Sequence, residues 1–325
     1  MDNEDRLAAK LRATLERAVQ RHPADGLLFS GGVDSAILAL FVPQVKMLTV
    51  RLESYGDDVD YARAMAQHLG IDFQVKVVSV EEAIETIPEA IRVLKTYDPH
   101  MPNHVAALIA LKLAKSKGIQ TVMTGDAGDE LFAGYSFMWN KEDLGDYIRD
   151  MVGRMHFTSG DLAQYVDIGL SQPYVDQEFV DLALEIDPEL KVVTENGKTW
   201  GKWILRKAFE GDLPHKVAWQ EKRPFELGSG FSMLRELIDA RISDEEYGEK
   251  VRSYPVRFYN KEHLYYYEIY NQVVGQIPPP QSGEKACQGC GGGLPVADSY
   301  CRTCGWVQDR ELSGDRFRLM KRRNT

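Results

Sequence analysis

Three clusters of residues in this 325-residue chain have the types and spacing to do chemistry. The first is Ser30-Gly31-Gly32-Val33-Asp34-Ser35. Its paired glycines let backbone N–H groups approach an anion, and a helix starting there adds the positive end of its dipole. The hydroxyls of Ser30 and Ser35 can donate to phosphate oxygens. Asp34 belongs beside phosphate only with a cation between them, and carboxylate plus phosphate oxygen is the ligand set Mg²⁺ favours. The spacing is not that of the GxxxxGK[ST] phosphate loop. The second cluster is Thr124-Gly125-Asp126-Ala127-Gly128-Asp129-Glu130. Three carboxylates so close together repel one another unless a cation or substrate offsets them. An acidic helix start explains this cluster alone. Taken with the first, it makes Asp34 and Asp129 joint ligands of a Mg²⁺ that bridges nucleotide phosphates. The third is Cys287, Cys290, Cys301 and Cys304, two CxxC pairs and the only cysteines in the chain. Four thiolates in this spacing satisfy tetrahedral Zn²⁺. Gly289, Gly291 and Gly305 supply the turns, and so short a segment needs the metal to fold.

The elements that position these clusters are legible from periodicity. Leu7, Leu11, Leu15 and Val19 share one helical face, giving an N-terminal helix within residues 1–24. Strands are expected at residues 27–29, 46–53, 73–78 and 121–123. Helices are expected at residues 60–69, 81–97 with an interruption at Pro88, and 103–117 with Asn103 as N-cap and Gly118 just beyond the C-terminus. Strands alternating with helices imply an α/β fold on a parallel sheet, with ligands at the carboxyl ends of the strands. Both Gly- and Asp-bearing loops fall at such ends. From about 140 to 275 the pattern reads as helices, at residues 144–155, 177–185, 200–209, 232–241 and 261–274. A Pro-rich linker at 276–286 precedes a zinc ribbon at 287–310 and a basic tail at 311–325, which holds Arg316, Arg318, Lys321, Arg322 and Arg323.

A formal net charge of −10 excludes a uniformly basic nucleic-acid footprint. No apolar run is long enough for a membrane span. The acidic start Met1-Asp2-Asn3-Glu4-Asp5 does not resemble a secretory signal, so a cytoplasmic protein is expected. Oligomeric state is open.

The first cluster resembles the PP-loop of ATP pyrophosphatases, which release pyrophosphate and leave AMP on the substrate. The chain as a whole resembles the synthetase domain of class B asparagine synthetases. The resemblance rests on FSGGVDSA (29–36), TGDAGDELFAGY (124–135), QPYVDQEFVDLAL (172–184), KWILRKAF (202–209), LPHKVAWQEKRPFELGSG (213–230) and KEHLYYYEIYNQVV (261–274), in family order over residues 25–275. It implies a PP-loop (adenine nucleotide alpha hydrolase-like) domain with a helical C-terminal half. It also implies adenylation of a carboxylate, with aspartate the leading candidate, followed by displacement of AMP by an amine. By position, Leu28, Val50, Thr124 and Gly125 would hold adenine and ribose. Ser30, Gly31, Gly32 and Ser35 would grip phosphate, Asp34 and Asp129 would ligate Mg²⁺, and Lys222 would stabilise the developing pyrophosphate. Asp126 stands where the family has a glutamate linked to intermediate formation and amine deprotonation.

The sequence also departs from the family. Glutaminase domains need an N-terminal cysteine, and none precedes Cys287. Free ammonia, a separate glutaminase or a different amine is then the expected source of the nucleophile. Asp126 is one methylene shorter than the glutamate it replaces. His100, Asn103 and His104 stand in the segment 97–107, where the family carries an arginine for the carboxylate substrate, and Gln220 replaces another arginine. Arg206 has no assigned role. The rival reading is a PP-loop enzyme acting on tRNA, with ribbon and tail as docking elements, because tRNA thiolases also carry CxxC ribbons. The motifs beyond residue 170 weigh against it.

Overall fold

The computed structural model describes residues 3–55, 58–222 and 225–308; the basic tail and the last two ribbon residues lie outside the described residues. By compactness the chain divides into two units, residues 1–86 with 102–234, and residues 87–101 with 235–325.

The first unit opens with α1 (Asn3–Arg21), followed by β1 (Gly26–Leu28), α2 (Val33–Phe41), β2 (Lys46–Leu52), α3 (Asp58–Leu69) and β3 (Phe73–Val78). The helices α4 (Val80–Leu94) and α5 (Met101–Ser116) run across the division in sequence, and β4 (Thr121–Met123) returns to the sheet. Next come α6 (Gly128–Leu131), α7 (Leu144–Val152), α8 (Thr158–Val166), β5 (Gly169–Ser171), α9 (Gln177–Glu185), β6 (Val192–Glu195) and β7 (Lys198–Gly201). The unit closes with α10 (Trp203–Phe209), α11 (His215–Ala218) and α12 (Phe225–Gly228).

The sheet order is β3-β2-β1-β4-β5, and every pairing is parallel. The chain builds outward from β1 to β3, then crosses back to place β4 on the other side of β1. The β1/β4 boundary is therefore a topological switch point, where a crevice opens at the strands' carboxyl ends. Residues 29–35 leave β1 and residues 124–130 leave β4, so the two expected loops flank that crevice. Leu11, Leu15 and Val19 of α1 are buried in the same core as Leu27, Ile37, Met47 and Met123, which confirms the helical stripe.

Several elements differ from the periodicity reading, each for a physical reason. Pro88 lies inside the continuous α4. An interior proline costs about 3 kcal/mol, but Ala83, Ile87, Ala90 and Ile91 on the same helix are fully buried, and each isoleucine alone returns roughly 1.5–3 kcal/mol. Asn103 is not the cap of α5. The helix starts at Met101, the Asp98 carboxylate accepts the His100 N–H at 2.6 Å, and Pro102 occupies the first turn, where its missing donor costs nothing. Gly118 does close α5, at φ +75°. Residues 192–201 are not helical. Asn196 and Gly197 have φ of 52° and 75°, the conformation a two-residue hairpin requires, and β6 pairs antiparallel with β7. The helix expected from Trp200 therefore begins at Trp203. Strand β5, in a region read as helical, has three residues and no alternation to betray it.

The second unit contains α13 (Leu234–Asp239), α14 (Asp244–Ser253) and α15 (Lys261–Val273), then the hairpin β8 (Glu284–Ala286) and β9 (Gly293–Pro295). No helix among the described residues is long and apolar enough to cross a membrane.

Candidate active site

The loop after β1 is held open by its own side chains. Gly31 takes φ +77°, a conformation glycine adopts without penalty. The Gly32 N–H donates to Ser30 Oγ at 3.2 Å, Ser35 Oγ donates to the Gly32 carbonyl at 3.0 Å, and the two hydroxyls lie 3.2 Å apart. Gln220 Nε2 donates to the Gly31 carbonyl at 2.6 Å, tying the loop to the segment before Lys222. No side chain caps α2, which leaves its first-turn N–H groups for a ligand.

The loop after β4 packs directly on the first. A Cβ on Gly128 would sit 2.6 Å from Asp34 Oδ1, and one on Gly125 would sit 3.0 Å from Asp34 Cβ. Between the loops stands Lys202, whose side chain is 1% exposed. Its Nζ lies 2.5 Å from Asp34 Oδ2 and 2.6 Å from Asp129 Oδ1. Lys222 Nζ reaches Asp129 Oδ2 at 2.6 Å. Burial pushes the Asp129 carboxyl up, but Lys202 and Lys222 more than reverse this and hold it well below the usual carboxylate range. Lys222 is raised above its ordinary value because Asp129 and Asp34 outweigh its desolvation. Neighbouring Glu130 feels Lys202 only weakly. Burial and the Asp129 charge push it up to about 7, while the Tyr135 hydroxyl donates to its Oε1 at 3.1 Å.

Lys202 is the residue the motif reading passes over, although KWILRKAF begins with it. Its signal is a contradiction: a lysine at a helix N-terminus opposes the dipole, and the backbone there is left-handed at φ 58°. Ala127 and Ala133 are also left-handed, at φ 77° and 52°. Non-glycine residues held in this region cost of order 1–3 kcal/mol each and cluster at functional sites.

Gly134 gives a direct test of how tightly this cluster is packed. A Cβ there would lie 1.9 Å from Asp129 Oδ1 and 2.5 Å from Lys202 Cε. Gly134→Ala is expected to cost about 1–3 kcal/mol of stability from overpacking. Gly160→Ala in α8, where nothing lies within 4 Å, is expected to be neutral or slightly stabilising. Thermal unfolding of the two variants side by side checks this, and equal melting temperatures would refute the packing described.

The other expected residues fall as follows. Leu28 ends β1, Val50 is fully buried within β2, and Thr124 follows β4 with its N–H on the Ser171 carbonyl at 3.0 Å. Asp126 Oδ2 accepts from Thr124 Oγ1, Ser159 Oγ and Gln172 Nε2 at 2.7, 2.7 and 2.8 Å, joining the exits of β4 and β5 to the start of α8. His104 is buried in α5 with Nδ1 3.3 Å from Thr158 Oγ1. Arg206 is buried, and its guanidinium donates to the carbonyls of Gly201 and Ala218. It thereby fixes the start of α10 against the residues that lead to Lys222. Tyr174, unmarked at the motif level, donates from its buried hydroxyl to the Asp34 carbonyl at 3.1 Å.

In the second unit the four cysteine sulfurs lie within 4.8 Å of one another, all buried and none in a disulfide. Cys287–Cys304 and Cys290–Cys301 are separated by 3.6 and 3.8 Å. Tetrahedral zinc with Zn–S bonds of about 2.3 Å requires sulfurs about 3.8 Å apart, so the donor set fits that ion. Each CxxC turn closes through a glycine, with the Gly291 N–H on the Cys287 carbonyl at 2.8 Å and the Gly305 N–H on the Cys301 carbonyl at 2.7 Å. Gly291 and Gly305 have φ of 75° and 72°. Gly289 serves differently from expectation. It does not take positive φ; a Cβ there would lie 2.6 Å from the Trp306 ring.

Comparison with known proteins adds an independent line. The family model described as asparagine synthase matches residues 7–165 and 155–277. A probable glutamine-hydrolysing asparagine synthetase of Dictyostelium discoideum is 28% identical, over 78% of this chain and 53% of that protein. Glutamine-hydrolysing asparagine synthetase B of Escherichia coli (strain K12) is 27% identical, over 91% of this chain and 58% of that protein. The chain thus spans about half the length of the curated relatives it matches. Among solved structures, a U34-tRNA thiolase, NcsA from Methanococcus maripaludis with its 4Fe–4S cluster, is similar at 14% identity and a TM-score of 0.37, covering 94% of this chain and 89% of that one. A superposition that loose carries no argument about the site.

Proposed function

The chain belongs to the asparagine synthase family, and from that premise we propose that it is an ATP-dependent ligase that adenylates a small carboxylate and passes the acyl group to an amine. The observation that carries this reading is the convergence of both strand-end loops on Asp34, Lys202, Asp129 and Lys222. It is a buried charge cluster at the switch point of a parallel sheet, beside an uncapped helix N-terminus.

The side chains suit a triphosphate. Ser30, Ser35 and the first-turn N–H groups of α2 would bind phosphate oxygens. Leu28, Val50, Thr124 and Gly125 would face the nucleoside. A Mg²⁺ ion would draw charge from the phosphates and orient them for in-line attack. Asp34 Oδ1 is buried with no hydrogen-bond partner among the described residues, an orphan that fits a metal ligand, and Asp129 would supply the second carboxylate. Lys202 engages the opposite oxygens of both aspartates and keeps those two ligands at fixed separation. Lys222, 29% exposed at its side chain, would exchange Asp129 for the phosphates when nucleotide arrives.

In the first step a carboxylate oxygen of the substrate attacks the α-phosphorus as the bond to the β-phosphate oxygen breaks. Pyrophosphate leaves with the electron pair, and Lys222 offsets its growing charge. In the second step an amine attacks the acyl carbon, AMP departs with the electron pair of the acyl–phosphate bond, and the amine's surplus proton would pass to the Asp126 carboxylate and on to solvent. Asp126, fixed by three donors, would anchor the loop that faces this step. Aspartate is the leading carboxylate, with asparagine as product. Ammonia is the leading nucleophile, free or delivered by a separate glutaminase, since the relatives are named as glutamine-hydrolysing. Structural zinc would be held by Cys287, Cys290, Cys301 and Cys304.

An ATP–pyrophosphate exchange screen over amino acids and other small carboxylates tests the reading. Aspartate with ammonia is expected to give AMP and pyrophosphate in equal amounts. Exchange with a different carboxylate would remove aspartate and keep the chemistry. ADP and phosphate as products, or no exchange with any carboxylate, would remove the chemistry.

A further inference from the structure

The cysteine knuckles are not an appendage on a linker, because one short stretch of chain, residues 96–100, is gripped by them along its length. The Tyr97 N–H donates to the Thr303 carbonyl at 2.8 Å, and Thr96 Oγ1 donates to the same carbonyl at 3.2 Å. A Cβ on Gly305 would lie 2.7 Å from Pro99 Cδ and 3.1 Å from Asp98 Cγ, so the second knuckle turn presses on those residues as closely as backbone allows. The Tyr300 hydroxyl lies 3.3 Å from His100 Nδ1, whose other neighbour, Asp98 Oδ1, is at 2.6 Å. Both Thr303 and Gly305 sit beside ligand cysteines, so the atoms that hold residues 96–99 are placed by the same turns that place Cys301 and Cys304.

Tyr97 itself sits in a cluster of rings in the second unit. It is fully buried, its ring stacked on His263 at 5.1 Å and edge-on to Tyr267 and Tyr270 at 5.2 Å each. Its hydroxyl has no hydrogen-bond partner in the described structure; burial is what most disfavours its ionised form, and Cys304, Cys290 and Cys301 lie near enough to add to that. A buried hydroxyl left unpaired costs about 1–3 kcal/mol. A metal-bound thiolate is an acceptor that removes that cost, whereas a protonated thiol is a poor one. Two further donors face Cys287 Sγ, the Gly289 N–H at 3.3 Å and Gln308 Nε2 at 3.4 Å. Together they form the kind of outer ring of donors that tunes a metal site.

We propose that metal loading of the four-cysteine site clamps residues 96–100, with the Tyr97 hydroxyl as a hydrogen-bond donor to the bound thiolates and as the positioning residue of the clamp. Because α5 starts at Met101, the clamp sets how the chain enters that helix and the segment 97–107, which the ligase reading assigns to the carboxylate substrate. The ribbon is then a brace whose occupancy sets the order of residues 96–100.

The proposal rests on the zinc reading, and the test separates the two. Full-length protein is loaded with zinc, and metal affinity is measured by chelator competition for the parent and for Tyr97→Phe. Amide exchange of residues 95–100 is followed in the parent with and without metal. The parent is expected to hold zinc stoichiometrically, Tyr97→Phe to bind it about 10-fold more weakly, and the Tyr97 amide to lose protection when the metal is stripped. A parent that binds no zinc overturns the metal reading and the proposal with it. A parent that binds zinc, with Tyr97→Phe of equal affinity and Tyr97 amide protection indifferent to metal, overturns the proposal alone. Should Tyr97→Phe fail to fold, the exchange comparison on the parent decides.

Discussion

Lys202→Met is expected to destabilise the protein by about 3–5 kcal/mol near neutral pH, the largest stability loss of any single substitution considered. The side chain is 1% exposed and neutralises two carboxylates at once. Methionine keeps the volume and removes the charge, leaving Asp34 and Asp129 buried side by side, with Lys222 as the remaining ion-pair partner among the described residues and Arg206 acting from further away. Like charges so placed cannot both ionise, so one carboxyl must take up a proton. The pH dependence follows. In the parent, the Asp129 carboxyl is held below its unfolded value; its contribution to stability is present above the unfolded value, about 3.9, and is lost as pH falls through the folded one. In Lys202→Met the remaining carboxyl pair is raised instead, so the penalty is full at high pH and shrinks as protonation relieves it. The stability gap between parent and variant should therefore narrow between pH 8 and pH 5. Denaturant unfolding at the two pH values measures it. A gap below about 1 kcal/mol, or one that does not change with pH, would show that Lys202 is not the counter-charge described.

Lys222→Met should do the opposite: little to stability, much to rate. Lys222 is partly exposed and holds only one oxygen of Asp129, whose other oxygen stays with Lys202. Its removal costs one charged hydrogen bond, about 1.5–3 kcal/mol at most. In the ligase reading it is the only mobile cation of the cluster and the one that meets the departing pyrophosphate. Removing a preorganised donor at a site of developing charge costs about 100- to 1,000-fold in kcat, so ATP–pyrophosphate exchange should fall by that factor while nucleotide affinity changes less. Lys222→Arg should recover only part of the loss, because a planar fork does not replace a compact ammonium. If exchange persisted in Lys222→Met at the parental rate, the assignment of pyrophosphate charge to this residue would be wrong.

The contrast between the two lysines explains the arrangement. Lys202 is fixed by burial and by its place at the start of α10, so it can only space the aspartates. Lys222 follows a segment anchored by Arg206 on Ala218 and by Gln220 on Gly31. Those anchors bring it to the site, where its side chain keeps 29% of its exposure. The ammonium of Lys222 also lies 5.4 Å from the Tyr135 ring centroid, a second contact that is lost if it swings toward phosphate.

Much of this was legible in the sequence because the physics behind it is local. Two glycines before a helix, an aspartate beside them and a carboxylate loop after a strand are local features, and the proposal of a nucleotide with Mg²⁺ starts from them whatever the rest of the fold does. Two CxxC pairs lead by spacing alone to the clustering of four sulfurs. Alternating strands and helices lead to the parallel sheet. The Asn-Gly turn of the β6–β7 hairpin was equally local and could have been read from Asn196-Gly197. Strand β5 could not, since three residues at a sheet edge become a strand only when β4 offers them partners.

Tertiary structure decided which charges meet. Asp34 and Lys202 are 168 residues apart, and Lys222 and Asp129 are 93 apart; the unfavourable place of Lys202 at the start of α10 marks it as unusual but does not say which carboxylates it meets. Nor does spacing show that Asp126 is held by three donors, or that the cysteine knuckles grip residues 96–100 rather than stand alone. Burial sets the strength of each interaction, and burial belongs to the packed chain: the same lysine is a solvated charge in an open segment and the counter-ion of two aspartates once water is gone.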